Sequence, residues 1–155
     1  MIADGRMDKW NSYFFDVAFR TAQLSKDKRT RVGAVIVGQN REILSVGFNG
    51  LPMGINDDTP ERSTPELKYF FTEHAERNAI YHGARRGISL RGSKLYSTLF
   101  PCSDCARAII QTGVQEVCCP ELVFTDVPAW SQSFRIAHEM FVEAGIKVFM
   151  FEVWG

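Results

Sequence analysis

The sequence predicts an α/β fold in which a mixed β-sheet lies between layers of helix. Two patterns lead to this. From residue 73 onward, segments with helical periodicity alternate with short apolar strands, the order expected when helices cover a largely parallel sheet. Upstream, two β-rich runs flank a Gly38-Gln39-Asn40 turn and read as an antiparallel hairpin.

The elements follow in order. Met7 to Leu24 places Trp10, Phe14, Val17, Ala18 and Leu24 at helical spacings, and Tyr13, Phe15 and Phe19 widen the apolar side. This predicts an amphipathic helix that covers the core and has apolar surface left over for a second subunit. After the charged stretch Ser25 to Arg31, the run Val32 to Val37 is β-branched and nearly all apolar, as in a strand buried on both faces. Ile43 to Phe48 is its hairpin partner, and Asn49 to about Thr72 is a polar loop long enough to suggest a functional role. Beyond it the pattern predicts helices near Glu73–Arg86, Ser103–Thr112 and Ser131–Ala144. The intervening strands fall near Lys94–Leu99, Gln115–Cys119 and Lys147–Phe151.

With 155 residues and no repeat, low-complexity tract or linker, the chain reads as one domain, 1–155. Eighteen Lys and Arg balance eighteen Asp and Glu, so the basic excess that draws a protein to nucleic acid is absent. The apolar run Val32 to Val37 is far shorter than the ~20 residues that cross a bilayer, and Met1 to Gly5 carries no signal-peptide core. No membrane partner and a cytoplasmic location are the expectation. In that reducing setting the four cysteines, Cys102, Cys105, Cys118 and Cys119, point to metal or redox chemistry rather than to disulfides.

The chemistry concentrates in two short segments. His74-Ala75-Glu76 opens one predicted helix and Pro101-Cys102-Ser103-Asp104-Cys105 opens another. Cys102 and Cys105, three apart, share one side of a first helical turn, so both sulfurs and a nitrogen of His74 can reach a single zinc ion. Helix N-termini favour the thiolates. Three protein ligands leave a fourth position open, the mark of a catalytic rather than a structural zinc, and zinc at such a site makes water nucleophilic near neutral pH. Glu76, on the same turn as His74 but rotated away, suits proton transfer. The H-x-E…P-C-x-x-C order is the general signature of zinc-dependent deaminases. Rival readings are a C-x-x-C redox pair, a non-catalytic zinc-stabilised module, or a closed site completed by Cys118 or Cys119. Strand alternation points those last two cysteines in opposite directions, which favours simple burial. His82 and His138 have no metal-like spacing and read as structural.

On these residues the chain resembles the deoxycytidylate (dCMP) deaminases of the cytidine deaminase superfamily, from about Ser25 to Gly145. Besides the two zinc segments, the resemblance rests on Ser25-Lys26-Asp27, Val32-Gly33-Ala34, Gly47-Phe48-Asn49-Gly50-Leu51-Pro52, Asp57-Asp58 and Ala106 to Gly113. It implies a three-layer α/β/α cytidine deaminase-like fold with a five-stranded mixed sheet. It also implies zinc on His74, Cys102 and Cys105, Glu76 as proton shuttle, and Asn49 against the sugar. Family members are commonly homo-oligomers, often controlled by deoxynucleoside triphosphates with magnesium. In place of the family's Tyr-His-Asp-like segment, Pro120 to Trp130 here reads PELVFTDVPAW, and no cysteine precedes Cys102, so one zinc per subunit is expected.

The implied reaction is hydrolysis of dCMP to dUMP and ammonia; a modified dCMP, a nucleoside, a free base or a tRNA adenosine are alternative substrates. Lys26, Lys28, Arg29 and Arg31 crowd the start of the first strand of the hairpin and are candidate ligands for a 5′-phosphate. Phe70, Phe71 and Trp130 read as core aromatics, with base stacking as the alternative.

Overall fold

The computed structural model describes residues 2–121 and 128–153, with side chains for 5–121 and 132–153. In chain order the elements are β1 (Ile2–Asp4), α1 (Lys9–Ala22), β2 (Gly33–Val37), β3 (Ile43–Phe48) and a 3₁₀ turn (Pro60–Ser63). They continue with α2 (Lys68–Phe71), α3 (Ala75–Arg85), β4 (Lys94–Ser97), α4 (Ser103–Gln111), β5 (Glu116–Pro120), α5 (Pro128–Glu143) and β6 (Lys147–Phe151). The sheet order is β1-β6-β5-β4-β2-β3. β2 runs antiparallel to both β3 and β4, whereas β4, β5, β6 and β1 are mutually parallel neighbours. All five expected strands form, and β1 adds a sixth at the β6 edge. Its three residues are too few to show a period in sequence.

Two cores flank the sheet. On one face Phe14, Phe15 and Ala18 of α1 pack on Val35, Val37, Tyr96, Cys118 and Phe151. On the other, α3, α4 and α5 cover Ala34, Ile36, Leu95, Val117, Cys119 and Val148. Cys118 and Cys119 thus point to opposite faces, as the two-residue period of a strand requires, and both are buried. Asp8 starts α1 by accepting the N–H groups of Trp10 and Asn11 at 2.9 and 2.8 Å. Leu24, read as part of the apolar stripe, lies past the end of α1 and is 64% exposed; the helix stops before it can turn inward.

Helix α3 is seated directly on the hairpin. Ser45 donates its hydroxyl to Ala79 O at 2.6 Å. Asn78 Nδ2 donates to Phe48 O at 2.8 Å, and Arg86 donates to Leu44 O at 3.2 Å. His82 Nδ1 lies 2.7 Å from Val46 O; a carbonyl only accepts, so that nitrogen carries the proton. Asn78 and His82 of α3 and its C-cap residue Arg86, spaced four apart, thereby occupy alternate carbonyls of an edge strand, which both anchors the helix and blocks strand addition there. His82 has the structural role expected of it.

Gly47 is what lets the helix come so close. A Cβ there would stand 2.3 Å from Ala79 N and 2.5 Å from Ala75 O, which are backbone atoms that cannot rotate away. Gly47→Ala is expected to destabilise the protein by roughly 1–3 kcal/mol, as overpacking does. At about 2–4 °C per kcal/mol for a chain of this size, a thermal melt should show the midpoint fall by several degrees.

Candidate metal and proton-transfer site

Two helix N-termini meet at the C-terminal end of β4. His74 is the N-cap residue of α3 and Cys102 that of α4, and neither side chain caps its own helix. They turn toward each other instead. Cys102 Sγ lies 3.4 Å from His74 Nδ1 and Cys105 Sγ 3.5 Å from the same nitrogen. The three ligand atoms all lie within 4.8 Å of one another. A tetrahedral ion with Zn–S near 2.3 Å and Zn–N near 2.0–2.1 Å requires nitrogen–sulfur edges of about 3.6 Å. The donor set and its spacing therefore fit zinc. Neither Cys118 nor Cys119 belongs to the cluster, because Cys118 faces α1 and Cys119 turns its sulfur toward Phe149 O.

The electrostatics suit a cation. The neighbouring Cys105 thiol, with His74 beside it, holds Cys102 down to about 4. The same hydrogen bond, together with burial, pushes Cys105 up. A divalent ion held between the two sulfurs would favour the thiolate form of both. His74 is drawn upward by its contact with Cys102, partly offset by burial.

Glu76 is 4% exposed. Its Oε1 accepts the Ser97 hydroxyl at 3.0 Å and its Oε2 lies 3.4 Å from Cys105 Sγ. Burial pushes its carboxyl above the usual range. It stands beside the His74, Cys102 and Cys105 cluster without belonging to it. Ser97, fully buried at the end of β4, went unread in the sequence. The available signal was a small polar residue at the end of a strand, four residues before the Pro-Cys segment.

Asn49 is held by the basic loop. Its Oδ1 accepts Val32 N–H at 2.8 Å, its Nδ2 donates to Thr30 O at 2.8 Å, and Ser25 donates to its backbone oxygen at 2.8 Å. Gly50 pairs with Glu73, just before His74, as an isolated antiparallel bridge. The Ser-Lys-Asp and Gly-Phe-Asn-Gly segments are thereby joined to each other and to the start of α3. Of the four basic candidates, Lys26 forms an ion pair with Asp57 at 2.8 Å. Arg31 bonds to Asp27 O at 3.2 Å and to Gln23 Oε1 at 3.5 Å. Lys28 and Arg29 are exposed. The sequence also missed Lys68, whose ammonium pairs with Asp27 at 2.5 Å and ties α2 to the basic loop.

Phe70 is not a core residue: it is 86% exposed on the short α2, because four residues of helix cannot bury two adjacent rings. Phe71 is half-buried beneath the Arg62 guanidinium at 4.9 Å. Residues 122–127 of the Pro120–Trp130 segment, and the Trp130 side chain, lie outside the described residues.

Residues 8–121 match the family model for the cytidine and deoxycytidylate deaminase zinc-binding region. The chain is 44% identical over 144 residues to a protein of Aliivibrio fischeri named an uncharacterized deaminase in the luxG 3′ region, covering 92% of this chain and 93% of that one. To human deoxycytidylate deaminase it is 44% identical over 114 residues, 70% of this chain and 63% of the human protein. Among solved structures, the dCMP deaminase of cyanophage S-TIM5 in complex with dCMP and dUMP superposes with a TM-score of 0.71. It is 30% identical, over 94% of this chain and all of that one.

Proposed function

Because the chain belongs to the family of cytidine and deoxycytidylate deaminases that share a zinc-binding region, we propose that it hydrolyses dCMP to dUMP and ammonia. One zinc per subunit would be held by His74, Cys102 and Cys105. The observation that carries the reading is the buried Glu76 carboxylate placed against a His/Cys/Cys set at zinc-binding spacing.

When bound, zinc supplies a Lewis acid that makes water nucleophilic near neutral pH. The remaining steps fall to the protein. Glu76 would take one proton from the attacking water and deliver it to N3 of the cytosine ring as C4 is attacked; it would then take the second proton from the new C4 hydroxyl and pass it to the departing amino group, so that ammonia leaves and the C4 carbonyl of uracil forms. Ser97 orients the carboxylate by donating to Oε1, leaving Oε2 on the ligand side to handle the proton. Asn49 uses one of its two amide N–H donors on Thr30 O, so the other is available to a sugar hydroxyl.

The 5′-phosphate would meet the basic loop that Asn49 anchors. Lys28 and Arg29 supply the most accessible charge, Lys26 shares its charge with Asp57, and Arg31 is partly engaged by the loop backbone. The dCMP and dUMP held by the S-TIM5 relative and the deoxycytidylate deaminase name of the human one support a nucleotide over a nucleoside. Two charge-assisted contacts at about 1.5–3 kcal/mol each favour dCMP over deoxycytidine by roughly 10²- to 10⁴-fold in kcat/KM. An absorbance assay across dCMP, a 5-substituted dCMP, deoxycytidine, cytosine and an RNA stem-loop checks this. Equal kcat/KM for dCMP and deoxycytidine would contradict it.

The proposal extends to a homo-oligomer acting in the cytoplasm, with half-exposed Tyr13 on α1 and exposed Phe70 on α2 offering apolar surface to other copies. No described helix is long and apolar enough to cross a membrane. Control by a magnesium-bound deoxynucleoside triphosphate is carried over from the resemblance, and the same assay run with dCTP or dTTP present tests it.

A further inference from the structure

Arg77 sits in a position that helix electrostatics disfavours. It lies in the first turn of α3, where aligned peptide dipoles leave partial positive charge, and its side chain is only 20% exposed. Carboxylates from two other places in the chain offset this. Arg77 Nε bonds to Glu73 Oε1 at 2.5 Å, and that same oxygen accepts the backbone N–H of His74 at 3.0 Å. The far end of the guanidinium faces Asp104 Oδ2 at 3.7 Å. Asp104 lies in the first turn of α4, between Cys102 and Cys105, and Arg107 holds its other oxygen at 2.5 Å. Glu73 is itself fixed to Gly50 by backbone bonds of 2.9 and 3.1 Å. A guanidinium keeps its charge at any pH the protein meets, so Arg77 needs both carboxylates as partners.

We propose that Arg77 is a positioning residue of the metal site, its guanidinium clamping the first turn of α3 to that of α4 so that His74 and the two cysteines keep zinc-binding spacing. The inference rests on the zinc reading given above. A forked guanidinium is what the geometry calls for, since its donors diverge toward carboxylates on both sides, whereas an ammonium acts as a single point. Glu73 extends the clamp to the Asn49–Gly50 segment, so one cation links the ligand-bearing turns to the part of the chain proposed to meet the sugar.

The test follows zinc transfer from loaded protein to an excess of a chromogenic chelator, alongside circular-dichroism melts of zinc-stripped protein. Arg77→Ala is expected to release zinc about 10- to 100-fold faster, the usual consequence of losing a group that orients metal ligands. Arg77→Lys should fall between it and the wild type. Asp104→Ala should also release faster and add nothing further to Arg77→Ala, since both break one bridge. The zinc-stripped melts of wild type and Arg77→Lys should coincide, so that faster release reports the metal site and not a loss of stability. Should Arg77→Ala fail to fold, Arg77→Lys and the half-exposed Asp104 variant carry the test. Wild-type release rates in the Arg77 variants, or fully additive effects with Asp104→Ala, would overturn the clamp while leaving the zinc reading intact. A wild-type protein that holds no zinc overturns the zinc reading, and the clamp with it.

Discussion

Glu76→Gln is expected to give a folded, zinc-loaded protein whose kcat for dCMP is lower by at least about 10²- to 10⁴-fold, the range that positioned acid–base groups contribute. The substitution is nearly isosteric at a site 4% exposed, so it opens no cavity. The new amide keeps a carbonyl oxygen for the Ser97 hydroxyl, which now lies 3.0 Å from Oε1, and its N–H groups can face the Cys105 sulfur. What the amide lacks is the ability to gain and lose a proton. Steady-state kinetics, zinc content by elemental analysis and a thermal melt on the same preparation check the three parts. Normal turnover would remove Glu76 from its assigned role, and loss of zinc together with turnover would make it a structural support of the ligands.

Removing the metal should be as severe. A chelator that strips zinc, or Cys105→Ser, which replaces a fully buried sulfur with a hydroxyl that does not ionise, is expected to bring activity to background. Zinc added back should restore the stripped wild type but not the variant. Stability should follow. A ligand present at a thousand times its dissociation constant stabilises the folded state by about 4 kcal/mol. For a chain of this length that corresponds to a melting midpoint raised by roughly 8–16 °C. Differential scanning of stripped and reloaded protein reads this directly, and coincident melts would show that the cysteines hold no metal in the folded protein.

The parts of this account that were legible in sequence share one property: their chemistry fixes residue type and spacing at short range. Cys102 and Cys105 lie within one helical turn, so their spacing alone indicated that both sulfurs could reach one ion, and His74 with Glu76, two residues apart, indicated a nitrogen donor with a carboxylate beside it. The alternation of strands and helices likewise reported a sheet between helical layers. What escaped the sequence depends on partners far along the chain. Ser97 becomes meaningful only when β4 delivers it to Glu76, 21 residues away in sequence. Asn49 was read as a sugar contact, yet its carboxamide also fastens residues 30 and 32, a role that appears once β2 and β3 pair. Lys68 and Asp27 meet although the whole hairpin and the loop after it lie between them in sequence. Leu24 and Phe70 misled for a different reason. Their hydrophobicity suggested burial, but one falls past a helix end and the other sits on a helix too short to cover it.

The most direct measurement is X-ray absorption at the zinc edge of the protein as purified. The account predicts one zinc per chain with two sulfurs near 2.3 Å and two nitrogen or oxygen neighbours near 2.0–2.1 Å: His74, Cys102, Cys105 and one light atom that is not from the protein. Three or four sulfurs around the ion, or no zinc at all, would contradict it.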